Sequence, residues 1–167
     1  METRTCIWKE GSRWFGAVAN DNGITALEWS RKKEEIMNRF HDTSPVDSST
    51  ASKFLLQLRT EISEYCEGLR SNFSVPVVIE GTEFQVRVWN EMKKIQFGQT
   101  ITYGDLAKRI ENPKASRAVG AACGQNRVPI IIPCHRVLGS AGKLHGFGGG
   151  LDEKAWLLDL EGASYKS

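Results

Sequence analysis

Between residues 5 and 29 the apolar positions fall in short β-branched and aromatic runs, TCIW, WFGAVA and ITALEW. The last two are separated by NDNG, whose residues tolerate the positive φ of a tight hairpin turn. Three strands are expected. The pattern then changes period. RKKEEIMNRF places Ile36, Met37 and Phe40 on one side of a charged helix, and from Ser52 to Gly68 the residues Phe54, Leu55, Leu58, Ile62 and Tyr65 keep helical spacing. HDTSPVDSST between them is polar and serine-rich and reads as a mobile loop. FSVPVVIEG reads as a further strand. Residues 1–80 thus read as a small α/β domain without chemistry of its own.

The second half is helical and sharply punctuated. Thr82 and Gln85 form a capping-box signature ahead of Phe84, Val88, Met92 and Ile95. FGQTI reads as a loop, and Thr102 with Asp105 opens a short helix through Leu106, Ala107 and Ile110. ENPK breaks it, and ASRAVGAACGQ makes a second helix, expected to run three to four turns. Two short helices split by a tight turn are the outline of a helix-turn-helix.

That second helix is thin. It carries Ala115, Ser116, Ala118, Gly120, Ala121 and Ala122, with Arg117 the one long side chain in its first two turns. A helix that reads bases in the major groove carries long polar side chains there. A helix with ordinary side chains is about 10–12 Å across, whereas the minor groove is about 6 Å wide. Small residues are one way to bring a helix backbone up to a widened minor groove, with Arg117 entering the base stack or meeting a phosphate. The composition leaves open the plainer alternative, close packing against another helix.

VPIIIPCHRVLG, residues 128–139, closes apolar residues and two prolines around Cys134. VPIII reads as a buried strand, and Pro133 keeps a helix from starting before the cysteine. An unassisted thiol has a pKa of about 8.5, and burial raises it. His135 is adjacent in sequence, but neighbours on an extended chain point to opposite faces, so cooperation needs a bend or a bridging water. Glu161 ends the helical run DEKAWLLDLEG ahead of Gly162. The helix dipole opposes a carboxylate there, which points to a holding partner such as a histidine. Taken alone, these residues equally allow a core thiol beside a satisfied histidine and a solvated Glu161.

Composition narrows the setting. The 167 residues allow one ordinary domain or two small ones, and 40% hydrophobic with 25% charged residues is an ordinary water-soluble balance. No apolar run reaches the length of a membrane span, and the first twenty residues carry charges, so a cytoplasmic protein is expected. Cys6, Cys66, Cys123 and Cys134 are too widely spaced for a CxxC pair. The first three read as small buried hydrophobes, with neither a disulfide framework nor a zinc site. Residues 1–80 hold 10 Lys and Arg against 12 Asp and Glu, and residues 81–167 hold 12 against 8. The basic half suits a polyanionic partner.

IPCHRV, preceded by GQN with Asn126 eight positions before Cys134, resembles the signature of the O6-alkylguanine-DNA alkyltransferases. So do GTEFQVRVWNEMKKIQFGQTITYGDLA and NPKASRAVGAACGQN, and the match runs from about Gly81 to Gly162. The resemblance implies an α/β N-terminal domain over 1–80, a small ribonuclease H-like sheet with helices in a supporting role. It implies a mostly α DNA-binding and alkyl-acceptor domain over 81–167, with a winged-helix-like helix-turn-helix. It further implies repair by direct reversal: an O6-alkylguanine, less readily an O4-alkylthymine, is flipped out of double-stranded DNA and its alkyl group moves irreversibly to the protein's cysteine. A monomer is implied, with room for cooperative assembly on DNA, and no cofactor or metal.

Carried over on matching positions, Cys134 is the acceptor, His135 the base acting through a water, and Glu161 the carboxylate orienting it. Asn126 ties the recognition helix to the active-site turn, and Tyr103 donates to guanine N3. Arg117 takes the place of the flipped nucleotide, with Ser116, Ala118 and Ala121 beside it at the DNA. The carbonyls of Cys134 and Val137 accept from the exocyclic amine, the Gly148 amide donates to O6, and Pro129 and Phe147 wall the pocket. Phe147 and Gly148 stand where some members have tyrosine and serine, and the N-terminal zinc ligands of the human member have no counterpart. PCHRV rather than PWHRV separates the chain from the alkyltransferase-like binding proteins. A thiol hydrolase would leave the thin helix unexplained, and a transcription factor would want base-reading side chains.

Overall fold

A computed structural model describes every residue except Met1, Asp42 and Val46. The chain divides into two compact units, Met1–Val78 and Ile79–Ser167. In the first, β1 (Arg4–Glu10), β2 (Arg13–Asn20) and β3 (Gly23–Ser30) form an antiparallel sheet in the order β1-β2-β3. The NDNG turn closes as expected, with the Asn20 side chain accepting from the Asn22 amide at 2.8 Å. Alternation along β2 buries Phe15, Ala17 and Ala19 completely, and Trp8, Phe15 and Trp29 stack across the three strands with centroids 5.5 and 6.0 Å apart. Gly16 has a steric reason to be glycine: a Cβ there would lie 2.4 Å from the Phe40 ring.

Helices α1 (Lys33–Arg39) and α2 (Thr50–Cys66) pack on the sheet. Ile36 and Phe40 are buried, but Met37 is 45% exposed, which corrects the expected apolar face. Of the serine-rich stretch read as a mobile loop, Asp42 and Val46 lie outside the described residues; Ser49 caps α2 by accepting from the Ser52 amide. Residues 73–81 do not form the expected strand. Pro76 has no amide to donate, and the buried Glu61 carboxylate holds the segment, accepting from the Ser74 and Val75 amides at 2.7 and 3.1 Å. One parallel bridge, Ile24 to Val77, is all the pairing it makes.

In the second unit α3 (Glu83–Met92) starts at the Thr82–Gln85 capping box and buries Val88, Trp89 and Met92. A second capping box, Thr102 with Asp105, starts α4 (Tyr103–Arg109). Glu111 then takes φ 61° and the Asn112 amide reaches back to the Ala107 carbonyl at 2.9 Å, a reversal that stops α4 just ahead of Pro113. Helix α5 (Ser116–Gly124) follows. Its nine residues make about two and a half turns, shorter than expected because Gln125 and Asn126 turn away at once. The Trp89 indole donates to the Ala122 carbonyl at 2.8 Å and fixes α5 against α3. A two-residue parallel pair joins β4 (Ile101–Thr102) to β5 (Val137–Leu138), and α6 (Leu151–Leu160) closes the unit.

Candidate active site

The segment before Cys134 is folded back on itself, not extended as a strand. The Asn126 side chain donates to the Ile132 carbonyl at 2.7 Å and accepts from the Val128 amide at 3.0 Å. Ile130 is forced to φ 72°, a costly region for a β-branched residue, while Val128, Ile130 and Ile132 are buried as expected. An amide side chain satisfying two backbone groups at once replaces the ladder a strand would have needed. The turn delivers Cys134 to a short 3-10 helix, Cys134–Arg136, capped by Pro133. The chain therefore bends at Cys134 and is not extended there.

Glu161 is the C-cap of α6, and Gly162 beyond it takes φ 67°. Its carboxylate is fully withdrawn from solvent. His135 Nε2 lies 2.6 Å from Oε2, and Arg136 donates from Nε to Oε1 at 2.8 Å and from Nη2 to Oε2 at 3.0 Å. The Gly98 amide adds a bond to Oε1 at 3.3 Å. The forked arginine pair offsets the unfavourable dipole at this helix end.

Because Arg136 already neutralises the carboxylate, His135 need not be charged. Burial pushes its pKa below the ordinary value, against the pull of Glu161. An ionised carboxylate only accepts, so the neutral ring carries its proton on Nε2 and leaves the Nδ1 lone pair open. Nδ1 is buried and has no hydrogen-bond partner among the described residues. Burial also raises the Cys134 thiol. The Asn126 side chain, the Lys154 charge and the amides of Cys134 and His135 oppose that rise without overcoming it.

Tyr103, the first residue of α4, stands beside this turn because β4 pairs with β5. Its hydroxyl donates to the His145 carbonyl at 3.0 Å, and burial keeps its pKa well above the ordinary tyrosine value, so it remains a donor. Pro129 and Phe147 are half-buried and Gly148 is exposed. On α5, Arg117, Ala118 and Ala121 are exposed on one face, Ser116 is half-buried, and Val119, Ala122 and Cys123 face inward. The small residues thus divide between packing and surface.

Two residues went unread in the sequence. Arg136 sits inside the quoted motif, and nothing in its neighbours announces a carboxylate 25 positions on. Lys154 is fully buried, its ammonium donating to the carbonyls of Val137, His145 and Gly146 at 2.6, 2.7 and 3.3 Å. Its spacing with Leu157, Leu158 and Glu161 is a helix stripe, so a lysine on an apolar face was the available signal. Cys123 is a buried thiol pushed up to about 12, whereas Cys6 and Cys66 are only half-buried, a correction to their reading as core residues. All four thiols are free. Among the described residues no cluster of three or more metal-ligating side chains occurs, and no helix is long and apolar enough to cross a membrane.

A buried thiol, a carboxylate-held imidazole on the next residue and a neighbouring pair of short helices are compatible with thiol chemistry of more than one class. Comparison with known proteins resolves the choice. Residues 83–163 match the family described as the 6-O-methylguanine DNA methyltransferase DNA binding domain. The methylated-DNA–protein-cysteine methyltransferase of Haemophilus influenzae is 49% identical over 151 residues, 89% of this chain and 80% of that one. The inducible enzyme of Bacillus subtilis is 47% identical over 135 residues, 81% and 70% of the two chains. The crystal structure of Mycobacterium tuberculosis O6-methylguanine methyltransferase superposes with TM-score 0.79 at 30% identity, covering 96% of this chain and 93% of that one. A structure of the M. tuberculosis protein in complex with DNA gives 0.72 at 34% identity, covering 96% and 92%. The chain belongs to the methylated-DNA–protein-cysteine methyltransferases, DNA-binding enzymes of DNA repair.

Proposed function

We propose that Cys134 accepts the alkyl group of an O6-alkylguanine, and less efficiently of an O4-alkylthymine, flipped out of duplex DNA from the minor-groove side. The observation that carries this is the buried His135, bonded through Nε2 to Glu161 with Nδ1 unpartnered among the described residues. A water carries the Cys134 proton to Nδ1, and Glu161 stabilises the imidazolium that results. The thiolate attacks the alkyl carbon, the carbon–oxygen bond breaks, and the electron pair leaves with the purine O6. Tyr103 donates to N3 and makes the base a better leaving group. A thioether is no longer a nucleophile, so each molecule acts once.

The carbonyls of Cys134 and Val137 receive the exocyclic amine, the Gly148 amide faces O6, and Pro129 and Phe147 flank the ring. Ser116, Ala118 and Ala121 lie along the DNA while Arg117 fills the gap in the stack. The first unit acts as a support with a shortened ribonuclease H-like sheet. The α4–α5 pair works as a winged-helix type of helix-turn-helix within the DNA-binding unit. The protein is a cytoplasmic monomer that can assemble along DNA. Intact mass after incubation with a duplex holding one O6-methylguanine tests the chemistry: a gain of one methyl on the Cys134 peptide, stopping at one per chain, is expected. Turnover, or a methyl on another residue, would overturn it.

A further inference from the structure

Lys154 has no place in the chemistry above, yet it is the one lysine among the described residues with no exposed surface. Burying an ammonium is expensive unless every donor is used. Here three backbone carbonyls, of Val137, His145 and Gly146, take its three N–H groups. Two of them are the carbonyls that the Tyr103 hydroxyl also approaches, at 3.0 Å for His145 and 3.5 Å for Gly146. The Tyr103 ring lies 5.7 Å from the ammonium, and the His145 ring stands edge-on to it. The third, Val137, belongs to the β-pair that sets Tyr103 beside Cys134.

Tyr103 therefore spends its hydroxyl on the segment before α6, and it must release that segment to donate to a purine. When the Tyr103 hydroxyl leaves, the His145 and Gly146 carbonyls keep a donor only through their part-buried contacts with Lys154. We propose that Lys154 is a positioning residue, a fixed catch that keeps the Val137, His145 and Gly146 carbonyls satisfied while the Tyr103 hydroxyl moves between the loop and the base. A carbonyl oxygen has two lone pairs, so Val137 can hold Lys154 and still accept from a guanine amine. The catch also places a positive charge within the field of the Cys134 sulfur. The inference rests on Cys134 being the alkyl acceptor.

The ionisable groups facing the ammonium are Cys134, Cys123 and Tyr103, with His135 also within its field. Burial lowers Lys154 to about 8, so its charge fades above that pH. Two measurements need no alkylated guanine. Hydrogen exchange of residues 144–150 should speed up about tenfold or more in Lys154→Met and much less in Tyr103→Phe, since the segment then loses the donor that ties its His145 and Gly146 carbonyls to Val137. Iodoacetamide alkylation of Cys134 between pH 6 and 10 should move to higher pH in Lys154→Met and in Lys154→Gln, and return toward the parent in Lys154→Arg. Gln serves if Met fails to fold. A third measurement, reaction with free O6-benzylguanine, should show a loss mainly in base affinity. Parent-like exchange and a parent-like alkylation profile in folded variants would overturn the catch. A parent that takes no methyl from DNA would instead overturn the proposed acceptor chemistry, leaving the first two measurements intact.

Discussion

His135 and Glu161, 26 residues apart in the chain, meet through a 2.6 Å hydrogen bond between Nε2 and Oε2 with neither side chain exposed to solvent. The carboxylate's charge is already matched by the Arg136 fork. Glu161 thus fixes the orientation of the histidine while burial holds its pKa below the ordinary value.

Glu161→Gln keeps the size of the side chain but removes the charge under Arg136. Breaking one side of a buried pair costs about 3–5 kcal/mol, and loss of base orientation slows transfer about 10²–10⁴-fold. Denaturant unfolding and methyl-transfer kinetics on the same preparation should show both losses. Parent-like transfer by a destabilised variant would remove Glu161 from the relay.

The direction of the His135 shift gives a pH dependence. Its folded pKa is depressed, so between that value and the unfolded pKa of about 6.5 the unfolded chain binds more protons. The stability it contributes is present above about pH 6.5 and is lost as pH falls through the folded value. Urea unfolding at pH 7.5 and 5.5 should show a larger acid loss for the parent than for His135→Gln. An equal loss in both would mean the imidazole is charged in the fold.

Cys134→Ser keeps the neighbours of the sulfur but supplies almost no anionic nucleophile at neutral pH. It should bind O6-methylguanine duplex and flip the base, read by a fluorescent base beside the lesion, with no label moved to protein. In the parent, where burial raises the thiol, the transfer rate should climb with pH above neutrality. Label on the variant would point to Cys123 as the acceptor.

Arg117 is exposed on the small-residue face of α5. Arg117→Ala should slow repair in duplex DNA more than reaction with free O6-benzylguanine, because only the duplex needs its stack filled. Binding of the parent should weaken as salt rises and show little sequence preference. Equal losses on the two substrates would indicate misfolding, and a footprint in the major groove would contradict the placement of α5.

Asn126→Ala removes both bonds that fold residues 126–132. A buried carbonyl and an amide left unpaired cost about 1–3 kcal/mol each. Transfer should fall by more than stability alone explains, since Cys134 loses both its placement and the lowering influence of the Asn126 amide on its thiol. Unchanged Cys134 reactivity toward iodoacetamide would show that the turn holds without it.

What the sequence determined by itself is what near neighbours decide. The hairpin strands, the capping boxes at Thr82 and Thr102, the reversal before Pro113 and the glycine beyond Glu161 each depend on residues within a few positions of one another. The specific run around Cys134 carried the family resemblance in the same way, and the family match over residues 83–163 agrees with it. Tertiary structure decided the rest. VPIII and FSVPVVIEG have the composition of strands, but Asn126 and Glu61 supply side-chain partners that substitute for a neighbouring strand. Met37 has an apolar side chain, yet the packing of α1 leaves it in solvent. Arg136 and Lys154 became part of the site only on folding, the first through a carboxylate 25 residues on and the second through backbone carbonyls that every residue possesses. A lysine on the apolar stripe of α6 announces that it needs partners, but backbone carbonyls leave no mark on residue identity, so the fold alone reveals which ones.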